Sequence, residues 1–231
     1  MDCMEGMGQF PDDYFDLAFP DPQYGIGEAG KNHKSRNTPI KQKNGKYLKA
    51  ADPVYKPKIW DNKPPSIEYF KELHRISKNQ IIWGINYFNL PKIYTSKGRV
   101  IWDKINGDND FSDCEIAYSS FHDSVRLFRY MWNGMMQGLE INSEIQQGNK
   151  KLNEKRIHCT QKPIKIYRWL LSKYASAGWK ILDTHVGGGS SLIACELEGF
   201  QYVGFEIDPD YYKAATERIK RERQQLTLAL Q

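Results

Sequence analysis

The sequence predicts an α/β protein built on a doubly wound, mostly parallel sheet, and three observations carry that prediction. From Ile164 onward, segments with helical periodicity alternate with short apolar runs. One such run ends in Asp183 and passes through three consecutive glycines, Gly187 to Gly189, into the next helix, the strand–turn–helix order that presents the carboxyl end of a parallel sheet to a ligand. In the N-terminal half, Pro64-Pro65-Ser66 opens a helix through Ser77 that leads into a strand from Gln80 to Trp83.

Taken in order, the first strand is Phe15 to Phe19, stopped by Pro20 and Pro22, so Asp21 to Gly27 lies at a strand end. Residues 31–63 are rich in Lys, Asn and Pro, show neither the helical nor the strand period, and read as a long basic loop. Ile67, Phe70, Leu73, His74 and Ile76 then recur at helical spacing. Three β-prone runs follow, Arg99 to Trp102, Glu115 to Ser119 and Val125 to Phe128, expected as an antiparallel extension of the sheet. Gln137 to Arg156 loses all periodicity and reads as a loop. The remainder alternates: helix Ile164 to Ala175, strand Lys180 to Asp183, helix Ser190 to Glu198, strand Tyr202 to Glu206, and a long charged helix from Pro209.

Composition sets bounds. A chain of 231 residues can bury one sizeable core, so one domain over residues 1–231 is expected, with residues 90–156 as an insert. The net charge of +5 is mild, but its uneven placement suits a polyanion better than a membrane. Cys3, Cys114, Cys159 and Cys195 form no C-x-x-C pair, which points away from zinc or a disulfide framework and fits a reducing cytoplasm. No run approaches the roughly 18 apolar residues of a membrane span. MDCMEGMGQF lacks a basic region followed by an apolar one, so a soluble, unsecreted protein is expected.

Two strand ends carry chemistry. In the glycine turn after Asp183 the backbone can approach a ligand closely, and Glu206, ending the next strand, can accept hydrogen bonds from both hydroxyls of a ribose. A glycine turn alone is equally a tight structural turn; the acid downstream in a βαβ context points to a nucleotide-like ligand. A dinucleotide fingerprint would need glycine where Leu192 stands, which makes a nicotinamide cofactor the weaker choice. At the other strand end, Asp21-Pro22-Gln23-Tyr24 combines a carboxylate, a rigid turn and an aromatic ring. The Asp21 side chain and the Pro22 carbonyl can both accept from an amino group on a flat ring, while Tyr24 stacks on that ring. A proline turn with a solvated Asp and a packing Tyr is the plainer reading of the tetrapeptide by itself.

These segments, in this order, resemble the β-group of S-adenosylmethionine-dependent DNA amino-methyltransferases, the adenine-N6 and cytosine-N4 enzymes with a D-P-P-Y type motif. Asp21 to Tyr24 matches that motif, Thr160-Gln161-Lys162-Pro163 matches the family's T-x-K-P, and Asp183 to Ser190 matches its D-P-F-x-G-S-G-T. Glu206 matches the ribose-binding acid, and Asp2-Cys3 resembles the segment beside the cofactor's adenine. The resemblance implies a Rossmann-like methyltransferase fold with S-adenosyl-L-methionine held by Asp2, Cys3, Asp21, Thr160, Lys162, Asp183, His185, Gly187, Gly189 and Glu206. It implies methyl transfer to N6 of an adenine flipped out of duplex DNA, with Asp21, Pro22, Gln23 and Tyr24 around the base. Cytosine-N4 or RNA methylation is the alternative, and Asp in the first motif position resembles the adenine enzymes more.

The departures from the family pattern are Gln23 for proline, His185 for phenylalanine and Cys159 for the proline before the threonine. Gln23 relaxes the backbone beside the two amino acceptors, so a catalytically impaired DNA-binding homologue is a further alternative. Lys31, His33, Lys34, Arg36, Lys41, Lys43, Lys46 and Lys49, with no acid among them, are expected to contact the phosphate backbone. The runs from Arg99 to Tyr130, carrying His122, Arg126 and Arg129, are expected to read the target, or else to be an ordinary sheet extension with surface arginines. The family analogy also allows a homodimer and a place in a restriction-modification system.

Overall fold

The computed structural model describes residues 1–27, 40–41, 45–48, 58, 60–106, 112–132, 137–138 and 153–229. The chain begins with a short helix α1 (Cys3–Met7), capped by the Asp2 carboxylate, which accepts from Met4 N at 2.8 Å. Strand β1 (Leu17–Ala18) follows, then the hairpin of β2 (Ile40–Lys41) and β3 (Tyr47–Leu48). Helix α2 (Ile67–Ile76), capped by Ser66, leads into β4 (Ile81–Trp83), β5 (Gly98–Asp103), β6 (Cys114–Ser119) and β7 (Val125–Arg129). A second hairpin, β8 (Met131–Trp132) with β9 (Gln137–Gly138), precedes α3 (Ile164–Tyr174), β10 (Lys180–Asp183), α4 (Ser190–Glu198), β11 (Gln201–Gly204) and α5 (Pro209–Ala229). No helix among the described residues is long and apolar enough to cross a membrane.

The main strands run in the order β11-β10-β1-β4-β6-β5-β7. Parallel bridges Phe15–Ser77 and Ala18–Gln80 join the β1-β10-β11 group to the β4-β6-β5-β7 group. Every strand in this run is parallel to β10 except β6, which pairs antiparallel with both β4 and β5. One edge of the sheet therefore collects the carboxyl ends of all strands but β6, together with the amino end of β6. Helices cover both faces, as expected for a doubly wound sheet. Strand pleating sends adjacent residues to opposite sides. Leu17, Ile81 and Ile181 pack with Ile166, Tyr167 and Leu170 of α3, whereas Ala18, Ile82 and Leu182 pack with Phe70, Leu73 and Ile76 of α2.

The structure corrects two expectations. β5 and β6 are antiparallel, but β7 lies on the far side of β5 and parallel to it. The link after β6 crosses over the amino end of β5, and Gly98 makes the crossing possible: a Cβ there would lie 1.8 Å from the His122 carbonyl oxygen and 2.6 Å from that of Ser119. The loop read over residues 31–63 contains the β2–β3 hairpin, with Gly45 at φ +77° in the connection between the two strands.

Candidate active site

Pro20 ends β1, and its carbonyl accepts from Trp83 N at 3.1 Å, fixing the segment that follows against β4. The Tyr24 hydroxyl donates to Asp21 Oδ1 at 2.8 Å. Lys162 Nζ lies 2.5 Å from the same Asp21 oxygen, 2.8 Å from Glu115 Oε2 and 3.0 Å from the Tyr24 oxygen, with its side chain 2% exposed. Glu115 Oε1 pairs with Lys104 Nζ at 2.7 Å. Two carboxylates and two ammonium groups thus balance within one part-buried cluster around the buried Lys162. Burial raises the Asp21 carboxyl, opposed by Lys162. Burial also works against the charge on Glu115, yet Lys162 and Lys104 together hold it down at about 2.

The Tyr24 ring stacks on Tyr87, with centroids 4.8 Å apart and planes 15° from parallel. It passes directly over Gly84, which has φ +76° and where a Cβ would meet Tyr24 Cε1 at 2.1 Å. The chain after Tyr24 is fastened by Asp61: Gly25 N donates to Asp61 Oδ1 and Gly27 N to Asp61 O, both at 2.8 Å. Asp61 lies in a 3-10 turn, Trp60–Asn62, and is 3% exposed.

One strand over, Asp183 ends β10. Its Oδ1 accepts from His185 N at 2.9 Å, and its Oδ2 accepts from the Ser191 hydroxyl. Burial, with Asp21 and Glu206 adding like charge, raises this carboxyl to about 7 against those two hydrogen bonds. Glu206 accepts from Gly187 N at 2.7 Å and from Asp208 N at 2.8 Å, one bond to each oxygen. A carboxylate has about four lone-pair sites, so both oxygens keep acceptor capacity. Gly187 and Gly189 turn the chain at φ +51° and +77°. His185 stands edge-on to Tyr69 and shares a hydrogen bond with Thr184, and burial lowers it to about 4, which keeps the ring neutral. The amino group of Met1 donates to Glu206 O at 2.9 Å, bringing Asp2 and Cys3 to this cleft. The Cys3 thiol is pushed up to about 11 by burial, so it is no thiolate nucleophile.

Thr160 bonds His158 Nδ1 through both its N–H and its hydroxyl oxygen, whereas Lys162 sits with Asp21 rather than at the glycine turn. His158 is a residue sequence reasoning missed. Its ring stacks on Trp60, packs against Tyr211 with centroids 4.2 Å apart, and would lie 3.4 Å from a Cβ on Gly187; burial lowers it to about 4. Its only sequence signal is its position just before the Thr160 segment. Glu115 and Lys104 were also missed, because their stretch was read as a recognition insert.

Lys31, His33, Lys34, Arg36, Lys43 and Lys49 lie outside the described residues, and of Lys41 only the backbone, in β2, is described. His122 follows β6 at the edge of the sheet opposite Asp21, bonded to Ser124 O and the Tyr174 hydroxyl oxygen, each at 2.9 Å. Arg126 is an exposed residue within β7. Arg129 ends β7 on the Asp21 edge, paired with Asp103 at 2.9 Å. The three residues are not brought together, and β5 to β7 are strands of the main sheet.

A doubly wound sheet with an acidic, glycine-turned cleft beside an Asp–Pro–x–Tyr strand end defines the class, and comparison with known proteins places the chain in it. The chain belongs to the N6/N4 DNA methylase family, whose model matches residues 27–217. The Type II methyltransferase M.HinfI of Haemophilus influenzae is 23% identical over 257 residues, covering 95% of this chain and 67% of that protein. The crystal structure of the M1.HpyAVI-SAM complex shares the fold with a TM-score of 0.55 at 17% identity, covering 94% of this chain and 96% of that one. The M1.HpyAVI structure gives 0.52 at 14% identity, covering 95% and 96%.

Proposed function

We propose that this chain transfers a methyl group from S-adenosyl-L-methionine to N6 of an adenine flipped out of duplex DNA. The observation that carries the reading is the joint placement of Asp21 and Asp183 at the carboxyl ends of paired parallel strands, β1 and β10. Ala18 and Leu182 are register partners on strands roughly 5 Å apart, so Asp21, three residues past Ala18, and Asp183, one residue past Leu182, lie at the ends of neighbouring strands closely enough for their charges to interact.

The cleft suits this cofactor. Asp183 is raised to about 7 by burial and by the like charges of Asp21 and Glu206, so a ligand carrying positive charge relieves an existing repulsion. Glu206, with spare acceptor capacity on both oxygens, would take the ribose hydroxyls. Asp183, His185 and the Gly187–Gly189 turn would hold the methionine side, and Asp2-Cys3 the adenine side. When bound, the cofactor supplies a methyl group on a sulfonium.

The chain's own residues then do the positioning. Asp21 accepts from the substrate's amino group, and the Pro22 carbonyl accepts its second N–H, which turns the nitrogen lone pair toward the methyl donor. Tyr24 offers a ring to the base while its hydroxyl keeps Asp21 in place. Because the electrophile is cationic, a strong base is unnecessary; the proton released from the amino nitrogen passes to Asp21 and on to water. Tyr24 and Lys162 fasten Asp21 through side-chain contacts that bypass Gln23, which favours an active enzyme over an impaired homologue.

The test is incubation with methyl-labelled cofactor and mixed-sequence duplex DNA, with the modified nucleoside identified by mass spectrometry. N6-methyladenine that disappears with Asp21→Ala is the expected result. N4-methylcytosine would move the assignment to the other amino base, and label in RNA alone would replace the substrate. Cofactor binding with no transfer, restored by Gln23→Pro, would make this an impaired homologue.

A further inference from the structure

Glu115 is a part-buried acid that this chemistry does not use directly. It sits at the amino end of β6, and only because β6 runs against its neighbours does that end reach the edge where Asp21 lies. Each of its oxygens takes one ammonium group: Oε1 that of Lys104, Oε2 that of Lys162. An ammonium group has three N–H bonds. Those of Lys162 go to Asp21 Oδ1, Glu115 Oε2 and the Tyr24 oxygen, so the cation is fully committed. Among the described residues, the protein contacts of Asp21, from Tyr24 and Lys162, both fall on Oδ1.

We propose that Glu115 is a positioning residue for methyl transfer: it pins Lys162 between two carboxylates, so that Asp21 gives only Oδ1 to the protein and keeps Oδ2 for the substrate's amino group. This rests on the reading of Asp21 given under the proposed function. Without the Glu115 charge, Lys162 has one carboxylate left and nothing of like strength pulls it away from Asp21, so it shifts onto Asp21 to engage both oxygens. The amino acceptor is then occupied, and the substrate is held less well in the reactive pose. The ionisable groups around Asp21 are Tyr24, Lys162 ahead of α3, Glu115 on β6 with Lys104 just after β5 behind it, Asp183 on β10 and Tyr167 of α3. Of these, Glu115 opposes ionisation of Asp21 and Lys162 favours it. Removing the Glu115 charge therefore moves Asp21 ionisation to lower pH.

The experiment compares full-length wild type with Glu115→Gln and Glu115→Asp. It measures kcat and KM on duplex DNA across pH, cofactor affinity by calorimetry, and thermal unfolding. Glu115→Gln is expected to lower kcat by about 10- to 100-fold, the scale of a misplacement of about 1 Å, while leaving cofactor affinity within about twofold. The acid limb of its kcat profile should move to lower pH, and Glu115→Asp should recover part of kcat. A purely structural role would lower thermal stability without shifting that limb. Wild-type kcat with an unshifted limb in Glu115→Gln overturns the inference alone. Absence of transfer by the wild type sinks the functional reading and the inference with it. Should Glu115→Gln fail to fold, Glu115→Asp decides: reduced kcat at unchanged cofactor affinity supports the role, and unchanged kcat overturns it.

Discussion

Asp183 carries an electrostatic cost that can be measured at the level of one side chain. Burial raises its carboxyl from 3.8 to about 7, so between those values the folded chain binds a proton that the unfolded chain has released. Its stability contribution is therefore full below 3.8, falls as pH rises toward 7 and stays flat above. Asp183→Asn keeps an acceptor for His185 N and removes the charge. The variant should be more stable than wild type at pH 8 by on the order of 1–3 kcal/mol, with the gain shrinking to nothing near pH 4, and with weaker cofactor binding. Urea titrations at several pH values check this; equal stability at pH 8 would sink it. Gly84 makes a second test. Gly84→Ala places a methyl group against Tyr24 Cε1 in a left-handed conformation that itself costs about 1–2 kcal/mol. The Tyr24 ring must move, so kcat should fall by roughly 100-fold while cofactor affinity, read by calorimetry, stays the same.

Among the elements, a single carboxylate joins three helices. Glu154 Oε2 accepts from Ile164 N at 2.9 Å at the start of α3, whose cap position is Pro163, a residue with no capping side-chain acceptor. Its Oε1 accepts from Ser190 at the start of α4 and pairs with Arg218 of α5, which is 4% exposed. Glu154→Gln leaves a buried guanidinium without its counter-charge, and a loss of about 3–5 kcal/mol in urea unfolding is expected. The double variant Glu154→Gln/Arg218→Met should recover part of it, because the stranded charge is then gone; no recovery would mean that the pair is not the cause. In sequence Glu154 belongs to a stretch without periodicity, and nothing local marks it as a junction. The elements after Ile164 were legible because their evidence is local: apolar spacing, the Gly189–Ser190 turn into α4, and Asp208 before Pro209. The Asp21 and Asp183 strand ends were legible for the same reason. The parallel placement of β7 was not, since it depends on a crossing over Gly98 that only the fold makes visible. Nor was the Glu115–Lys162–Asp21 cluster, whose members are far apart in the chain and meet only through the reversal of β6.

For the whole molecule, the decisive feature is that one sheet edge gathers Asp21, Asp183, Glu206, Glu115 and the carboxyl end of β7, while His122 lies at the other edge. The chain leaves the Asp21 edge at Gly27, which is held by Asp61, and is back there at Trp60. Between them the sequence carries Lys31, Lys34, Arg36, Lys41, Lys43, Lys46 and Lys49, a run of cations with no acid from Lys31 to Lys49. If this segment meets the phosphate backbone, each contact releases condensed counterions, and the slope of log K against log salt steepens by about 0.9 per phosphate neutralised. The combined change Lys41→Gln/Lys43→Gln/Lys46→Gln should therefore flatten that slope by about 2–3 and weaken binding to all duplexes alike, leaving cofactor affinity untouched. His122→Ala, at the far edge, should leave the slope unchanged. A triple variant with the wild-type slope would move the phosphate contacts off this segment, and a flattened slope in His122→Ala would mean that the duplex reaches both edges of the sheet.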